Sequence, residues 1–230
     1  MQEKGDFILK VEGLSVSFAT TAGKVHALRN VDFAVRRGET VAIVGESGSG
    51  KSVTVKTAIG ILDTNGKVEA GKALFTFKND KGEEETIDLL TLSKKQMRQT
   101  INGKRIAMVF QDPYSSLNPR MTVSDIIAEP LDVHKMYSNK AERQERILDL
   151  MAKVGLNSEH ANRYAHEFSG GQRQRIGIAR ALSMNPEFVV CDEPVSALDV
   201  SIQAQVINMF DDLQEQMNLT YLFIAHDLLV

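Results

Sequence analysis

Eight residues constrain this chain more than any others: Gly45-Glu46-Ser47-Gly48-Ser49-Gly50-Lys51-Ser52, placed directly after the β-branched apolar run Thr40 to Val44 and directly before a helical stretch, Val53 to Leu62. They match the order G-x-x-x-x-G-K-[ST] at every required position, which ordinary residue usage produces by chance on the order of once in a hundred chains of this length. A buried strand that ends in a glycine-rich turn and reopens as a helix lets backbone N–H groups close around phosphate oxygens at the positive end of the helix dipole. In that setting Lys51 reaches the β- and γ-phosphates of a nucleotide and the Ser52 hydroxyl ligates Mg2+. The motif thus demands an α/β fold.

A second constellation lies far downstream. Phe188-Val189-Val190-Cys191-Asp192-Glu193 is four apolar residues followed by two carboxylates. Asp192, at the strand end, is placed to bind Mg2+ through water, and Glu193 to polarise an attacking water as general base. Cys191 reads as a small core residue. A single cysteine in 230 residues excludes an internal disulfide and a cysteine-based metal cluster within the chain.

The rest of the chain alternates between strand and helix periods. Phe7 to Phe18 and Leu28 to Val35 alternate apolar and polar residues, as half-exposed antiparallel strands do. Gly66 to Leu90 returns to strand character around Asn79-Asp80-Lys81-Gly82, with Glu83 to Glu85 as a solvated hairpin flank. Ile106 to Phe110 is a second buried-strand candidate, as is Thr40 to Val44. From Val123 to Leu156 the period is helical, with an apolar stripe of Ile147, Leu148, Met151 and Val154, a start at Ser138 or Asn139 and a stop at Gly155. A helix follows Ser169 and stops at Asn185-Pro186; another runs from Ile202 to Met217 behind Ser201, and Leu219 to Ala225 is strand-like. This alternation predicts a mostly parallel sheet. His226 to Val230 follow the last strand without a closing element, as expected of a chain whose C-terminal part is missing.

Apolar residues at 43% and charged residues at 25% are ordinary for a folded domain. A net charge of −3 supplies no field for binding along a nucleic-acid backbone, so no nucleic-acid partner is expected. Met1 to Lys10 lacks the apolar core of a secretory signal, and no stretch approaches the roughly 20 apolar residues that cross a bilayer. Work at a membrane would therefore go through a partner.

Glu167-Phe168-Ser169-Gly170-Gly171-Gln172, followed by the basic positions Arg173, Arg175 and Arg180, resembles the L-S-G-G-Q signature of ABC ATPases, with Phe168 in place of the usual Leu. Three further sites match that family in order and spacing. Gln111 resembles the Q-loop glutamine, Ser196-Ala197-Leu198-Asp199 the D-loop, and His226 the switch histidine. Phe18 resembles the aromatic that stacks on adenine, where Phe keeps the stacking face of the more frequent Tyr.

The resemblance implies a P-loop NTPase core (7–110 and 184–230) carrying an antiparallel β-subdomain, with an inserted α-helical subdomain (112–183). It implies ATP and Mg2+ as cofactors: Gly45 through Val53, Phe18, Gln111, Asp192 and His226 hold one nucleotide, Ser52, Gln111 and Asp192 its metal, and Lys51, Gln111, Glu193 and His226 serve hydrolysis. Ser169, Gly170, Gly171, Gln172 and Asp199 are implied to act in trans, on ATP held by a second ATPase subunit in a homodimer or heterodimer. Closest in pattern are the subunits of oligopeptide and dipeptide importers, on Phe110-Gln111-Asp112-Pro113-Tyr114-Ser115-Ser116-Leu117-Asn118-Pro119 and Asp192-Glu193-Pro194-Val195-Ser196-Ala197-Leu198-Asp199-Val200-Ser201-Ile202-Gln203. That likeness implies integral membrane permease partners gripped at the cytoplasmic face of the plasma membrane, with an extracytoplasmic solute-binding protein acting indirectly. A soluble ABC ATPase working on nucleic acid or ribosomes is the alternative, but the coiled-coil, zinc or tandem insertions of such proteins are not visible.

Overall fold

The structure is a computed structural model that describes residues 6–21, 23–79 and 81–226. Asp80 of the expected hairpin, the first five residues and the last four lie outside the described residues. The chain gathers into two compact units, one running up to Asn102 and resumed from Thr220, the other from Gly103 to Leu219.

In the first unit, β1 (Phe7–Thr20), β2 (Gly23–Arg36), β4 (Gly66–Lys78) and β5 (Glu84–Asp88) form an antiparallel sheet in the order β2-β1-β4-β5. Alternation in β1 buries Leu9 with Val11 and Leu14 with Val16, the two pairs separated by a register shift between Val11 and Leu14, and all four are essentially inaccessible to solvent. Strand β3 (Thr40–Val44) pairs in parallel with β8 (Thr220–Ala225), from Thr40 opposite Tyr221 to Val44 opposite Ala225.

The expectation that β3 is buried on both faces is corrected here. Thr40, Ala42 and Val44 are exposed and Val41 and Ile43 half-buried, so only one side of the strand is covered. A short apolar run has no period that distinguishes one covered face from two. Helix α1 (Lys51–Ala58) is also shorter than the expected Val53 to Leu62, because Gly60 turns into the left-handed region at φ 73° and ends it. The short helix α2 (Lys94–Gln96) starts at a capping box between Ser93 and Gln96.

The second unit pairs β6 (Ile106–Val109) with β7 (Phe188–Asp192) in parallel, Val109 opposite Cys191. Around them lie α3 (Pro113–Ser116), α4 (Val123–His134), α5 (Lys140–Lys153), α6 (Gly170–Leu182) and α7 (Val200–Met217). Helix α5 starts on Asn139, one of the two expected caps, and its Ile147, Leu150 and Met151 are buried. Helix α7 starts two residues before the expected Ile202, with Asp199 rather than Ser201 at its N-cap. The Asp199 carbonyl already accepts from the Ile202 and Gln203 N–H groups, so the chain enters the helix before the apolar period becomes visible. All five residues of β7 are buried, as its apolar run predicts. No helix among the described residues is long and apolar enough to cross a membrane.

Candidate nucleotide site

In the first unit the end of β3 carries the glycine-rich loop and the end of β8 carries His226. Beyond Val44 the chain turns through Gly45, Glu46, Ser47, Gly48 and Ser49 to Gly50, which caps α1 at φ 94°, a backbone open to glycine at little cost. A side chain at Gly50 would also press on Leu28 Cδ2, 3.1 Å from an ideal Cβ. Lys51, largely buried, donates from Nζ to the carbonyls of Gly45 at 2.5 Å and Glu46 at 3.0 Å. The ammonium is thereby held over its own loop. Ser52 and Val53 follow in the first turn of α1, which has no acidic residue to compete for its positive end. The parallel register sets His226, one residue past Ala225, level with Gly45, one residue past Val44. Phe18, half-buried in β1, lies with its ring edge against Gly66, in the space a side chain there would occupy.

The second unit brings Gln111, Asp192 and Glu193 together by the same logic. Val109 and Cys191 are opposite each other, so Gln111 and Glu193, each two residues further, meet: Gln111 Nε2 donates to Glu193 Oε2 at 2.8 Å across 82 residues of sequence. Asp192 ends β7 almost fully buried. Glu193 has φ 47°, a left-handed backbone that costs a residue with a side chain about 1–3 kcal/mol and that concentrates at functional sites. Ser196 closes the turn, donating from N at 3.2 Å and from Oγ at 3.1 Å to the Glu193 carbonyl. Cys191 is buried within β7, which pushes its thiol well above the usual range and makes it a core residue.

Ser169 N-caps α6. Its Oγ accepts from Gln172 N at 3.3 Å while Gln172 Oε1 accepts from Ser169 N at 3.1 Å. Half of the expected contact set in this loop is therefore local capping: the Gln172 side chain holds the helix start. Gly170 and Gly171 present the first N–H groups of a thirteen-residue helix with no acidic residue in its first turn. Gly171 is also required sterically, because a Cβ there would stand 2.6 Å from Ile202 Cγ2. Asp199, exposed, makes no side-chain bond to the helix it begins.

Sequence reasoning named Arg173 and Arg180 as basic positions behind the signature but not the groups they tie together. Arg173 stacks over the Tyr114 ring at 4.0 Å and donates to the Ala165 and His166 carbonyls, and Arg180 donates to Ser116 O at 2.8 Å. The i, i+2 and i+7 spacing of Arg173, Arg175 and Arg180 on α6 was the available signal, but it does not say which carbonyls they meet.

Within the second unit, a buried carboxylate, Asp192, and a glutamine amide, Gln111, are oxygen donors of the kind that suits a hard divalent cation. Gln111 fits in orientation too, since its Nε2 is spent on Glu193 and Ser196 Oγ, which turns Oε1 toward the acceptor role a cation needs.

Comparison with known proteins agrees with this geometry. The family model described as ABC transporter matches residues 28–196. The oligopeptide transport ATP-binding protein OppF of Bacillus subtilis is 52% identical over 221 residues, 96% of this chain and 68% of that protein. AppF of the same organism is 53% identical over 213 residues, 93% of this chain and 60% of that protein. Among solved structures, the dimeric, post-hydrolysis ATP-binding cassette MJ0796 bound to ADP and Pi aligns with TM-score 0.78 and 28% identity over 95% of this chain and 88% of that one. The cbiO1 subunit from Clostridium perfringens aligns with TM-score 0.76 and 29% identity over 96% of this chain and 79% of that one. Together with the phosphate loop, the carboxylate pair and the serine-led helix cap, these matches establish that the chain belongs to the ABC transporter family and is an ATPase of its ATP-binding cassette type.

Proposed function

We propose that the chain is the ATP-hydrolysing subunit of a peptide importer, in which two cassettes close on two ATP molecules and drive permease subunits between access states. The observation that carries the peptide assignment is the identity of about half its residues to OppF and AppF over more than nine-tenths of its length.

Each residue then has a role set by its chemistry. Phe18 offers a ring face to adenine. The N–H groups of Gly45 through Val53 and the Lys51 ammonium take the β- and γ-phosphates, Lys51 exchanging its bonds to Gly45 O and Glu46 O for phosphate oxygens. Ser52, Gln111 and, through water, Asp192 would hold Mg2+, which when bound neutralises charge gathering on the phosphate oxygens. Glu193 orients and deprotonates the attacking water, and His226 contacts the γ-phosphate. From a second cassette, Ser169, Gly170 and Gly171 supply a helix N-terminus to the same phosphate, with Gln172 fixing that helix start and Asp199 crossing between subunits. The γ-phosphate is the differential ligand that favours the closed pair. Permease docking is supported by Tyr114, Val133 and Met136, large apolar side chains left exposed in the second unit.

The reading is tested by co-expression with permease subunits and reconstitution in liposomes with a solute-binding protein, where peptide should raise ATP turnover. Turnover indifferent to peptide, but raised by another solute, would replace the substrate class. For the chemistry, Glu193→Gln should keep ATP affinity, lower kcat by about 10²–10⁴-fold and accumulate a closed dimer. Phosphate release at the parent rate from that variant removes Glu193 from the base role.

A further inference from the structure

The segment between Glu193 and α7 is two overlapping turns. The first runs from Glu193 to Ser196, closed by the Ser196 N–H on the Glu193 carbonyl at 3.2 Å; the second runs from Val195 to Leu198, closed by the Leu198 N–H on the Val195 carbonyl at 3.0 Å. Both ends of the second turn are held by one atom. Gln203 Nε2 donates to Leu198 O at 2.9 Å and to Val195 O at 3.2 Å, from a half-buried position one turn into α7. The Gln203 backbone N–H is itself fixed on Asp199 O at 2.9 Å.

Division of labour follows from the donor inventory. Asp199, the N-cap, does not use its carboxylate on α7, and a primary amide is the uncharged side chain that can give two hydrogens from a single nitrogen to two carbonyls. Gln203 thus does the turn's holding from inside the helix and leaves Asp199 exposed. The turns share Val195 and Ser196, so restraint on the second limits rotation in the first. That first turn carries the Glu193 carbonyl, which takes both Ser196 bonds, and the left-handed Glu193 backbone that sends its carboxylate to Gln111. A strained backbone persists only where its surroundings over-determine it.

We propose that Gln203 is a positioning residue for ATP hydrolysis: its amide braces the turn pair after β7 and keeps the Glu193 carboxylate in working orientation without touching nucleotide. The proposal rests on the reading of Glu193 as general base and adds to it a residue with no assigned role.

The test uses the full chain, with ATP turnover across ATP concentration, affinity for a fluorescent ATP analogue and melting temperature measured for three variants. Gln203→Met keeps the length and loses both donors; Gln203→Glu keeps the shape and sets charge against two carbonyls; Gln203→Lys restores donors of similar reach. The first two should lower kcat about tenfold with KM and analogue affinity within about twofold, and Gln203→Lys should recover kcat to within about threefold of the parent. Packing alone would give the reverse order, Met retained and Lys lost, and that order overturns the proposal, as does parent kcat in Gln203→Met or a rise in KM matching the fall in kcat. Should Gln203→Met not fold, the Glu and Lys pair decides on the same criteria. In a Glu193→Gln background, Gln203→Met should cost nothing more; a further tenfold loss means that Gln203 acts by another route. Glu193→Gln alone reports separately on the base assignment, so the two failures are distinguishable.

Discussion

Under the proposed function, Glu193 combines two demands that a single residue rarely meets: a carboxylate for proton transfer and a backbone at φ 47° that favours glycine or asparagine. Asn30, Asn185 and Asn218 occupy the same region of backbone space with a side chain suited to it, whereas Lys135, which ends α4, and Glu193 do not; under the proposed function Glu193 is kept there for its chemistry. Replacement by glycine should separate the two demands. Glu193→Gly is expected to melt at or above the temperature of Glu193→Gln, by about 1 kcal/mol of relieved strain, while neither hydrolyses ATP; a glycine variant that melts lower would show that the turn, not the side chain, is relaxed at this position. The carboxylate was legible in the sequence, from two acids after an apolar run. Its strained backbone was not, because φ depends on the turn that Ser196 and Gln203 close around it.

Helix α6 shows how one element serves two neighbours. Its N-terminus is finished by the Ser169–Gln172 box: the helix start at Ser169 was legible in the sequence, whereas Gln172 was expected to contact nucleotide in trans and its capping bond came only with the structure. Its flank binds the segment after Gln111 through Arg173 on Tyr114, Arg180 on Ser116 O, and, just before the helix, His166 Nδ1 against Pro119 O at 3.2 Å. Under the proposed function this tie lets a movement at the Gln111 segment reach the helix cap. Arg173→Ala should raise amide exchange across residues 112–120 by about tenfold, through loss of the cation–π contact on Tyr114, while the core strands β6 and β7 stay protected. Unchanged exchange in that segment would assign its order to Arg180 and His166 alone. None of these partners could be read in advance, because a basic residue on a helix face says only that it is solvated or paired.

At the scale of the molecule, the proposed pairing of cassettes predicts complementation. A chain with Lys51→Ala and a chain with Ser169→Arg should each be inactive alone, but mixed in equal amounts they form mixed pairs in which one site is intact. Roughly a quarter of the parent turnover is then expected if pairing is random and sites are independent. No recovery on mixing would place Ser169 and Lys51 on the same nucleotide within one chain, or tie activity to a different sister subunit.

Local chemistry decided much of this protein from the sequence alone: the phosphate loop between strand and helix, the carboxylate pair after β7, the helix start at Ser169, a start for α5 at Ser138 or Asn139, and the alternation within β1. These depend on neighbours within a few residues, which periodicity and capping report. Only the tertiary structure decided that Gln111 meets Glu193, that His226 stands level with Gly45, that β3 is covered on one side, and that Gln203 holds the turn after the strand. Parallel strands bring together residues far apart in sequence, as the 82-residue step from Gln111 to Glu193 shows, and their register is fixed by pairing that leaves no trace in local pattern.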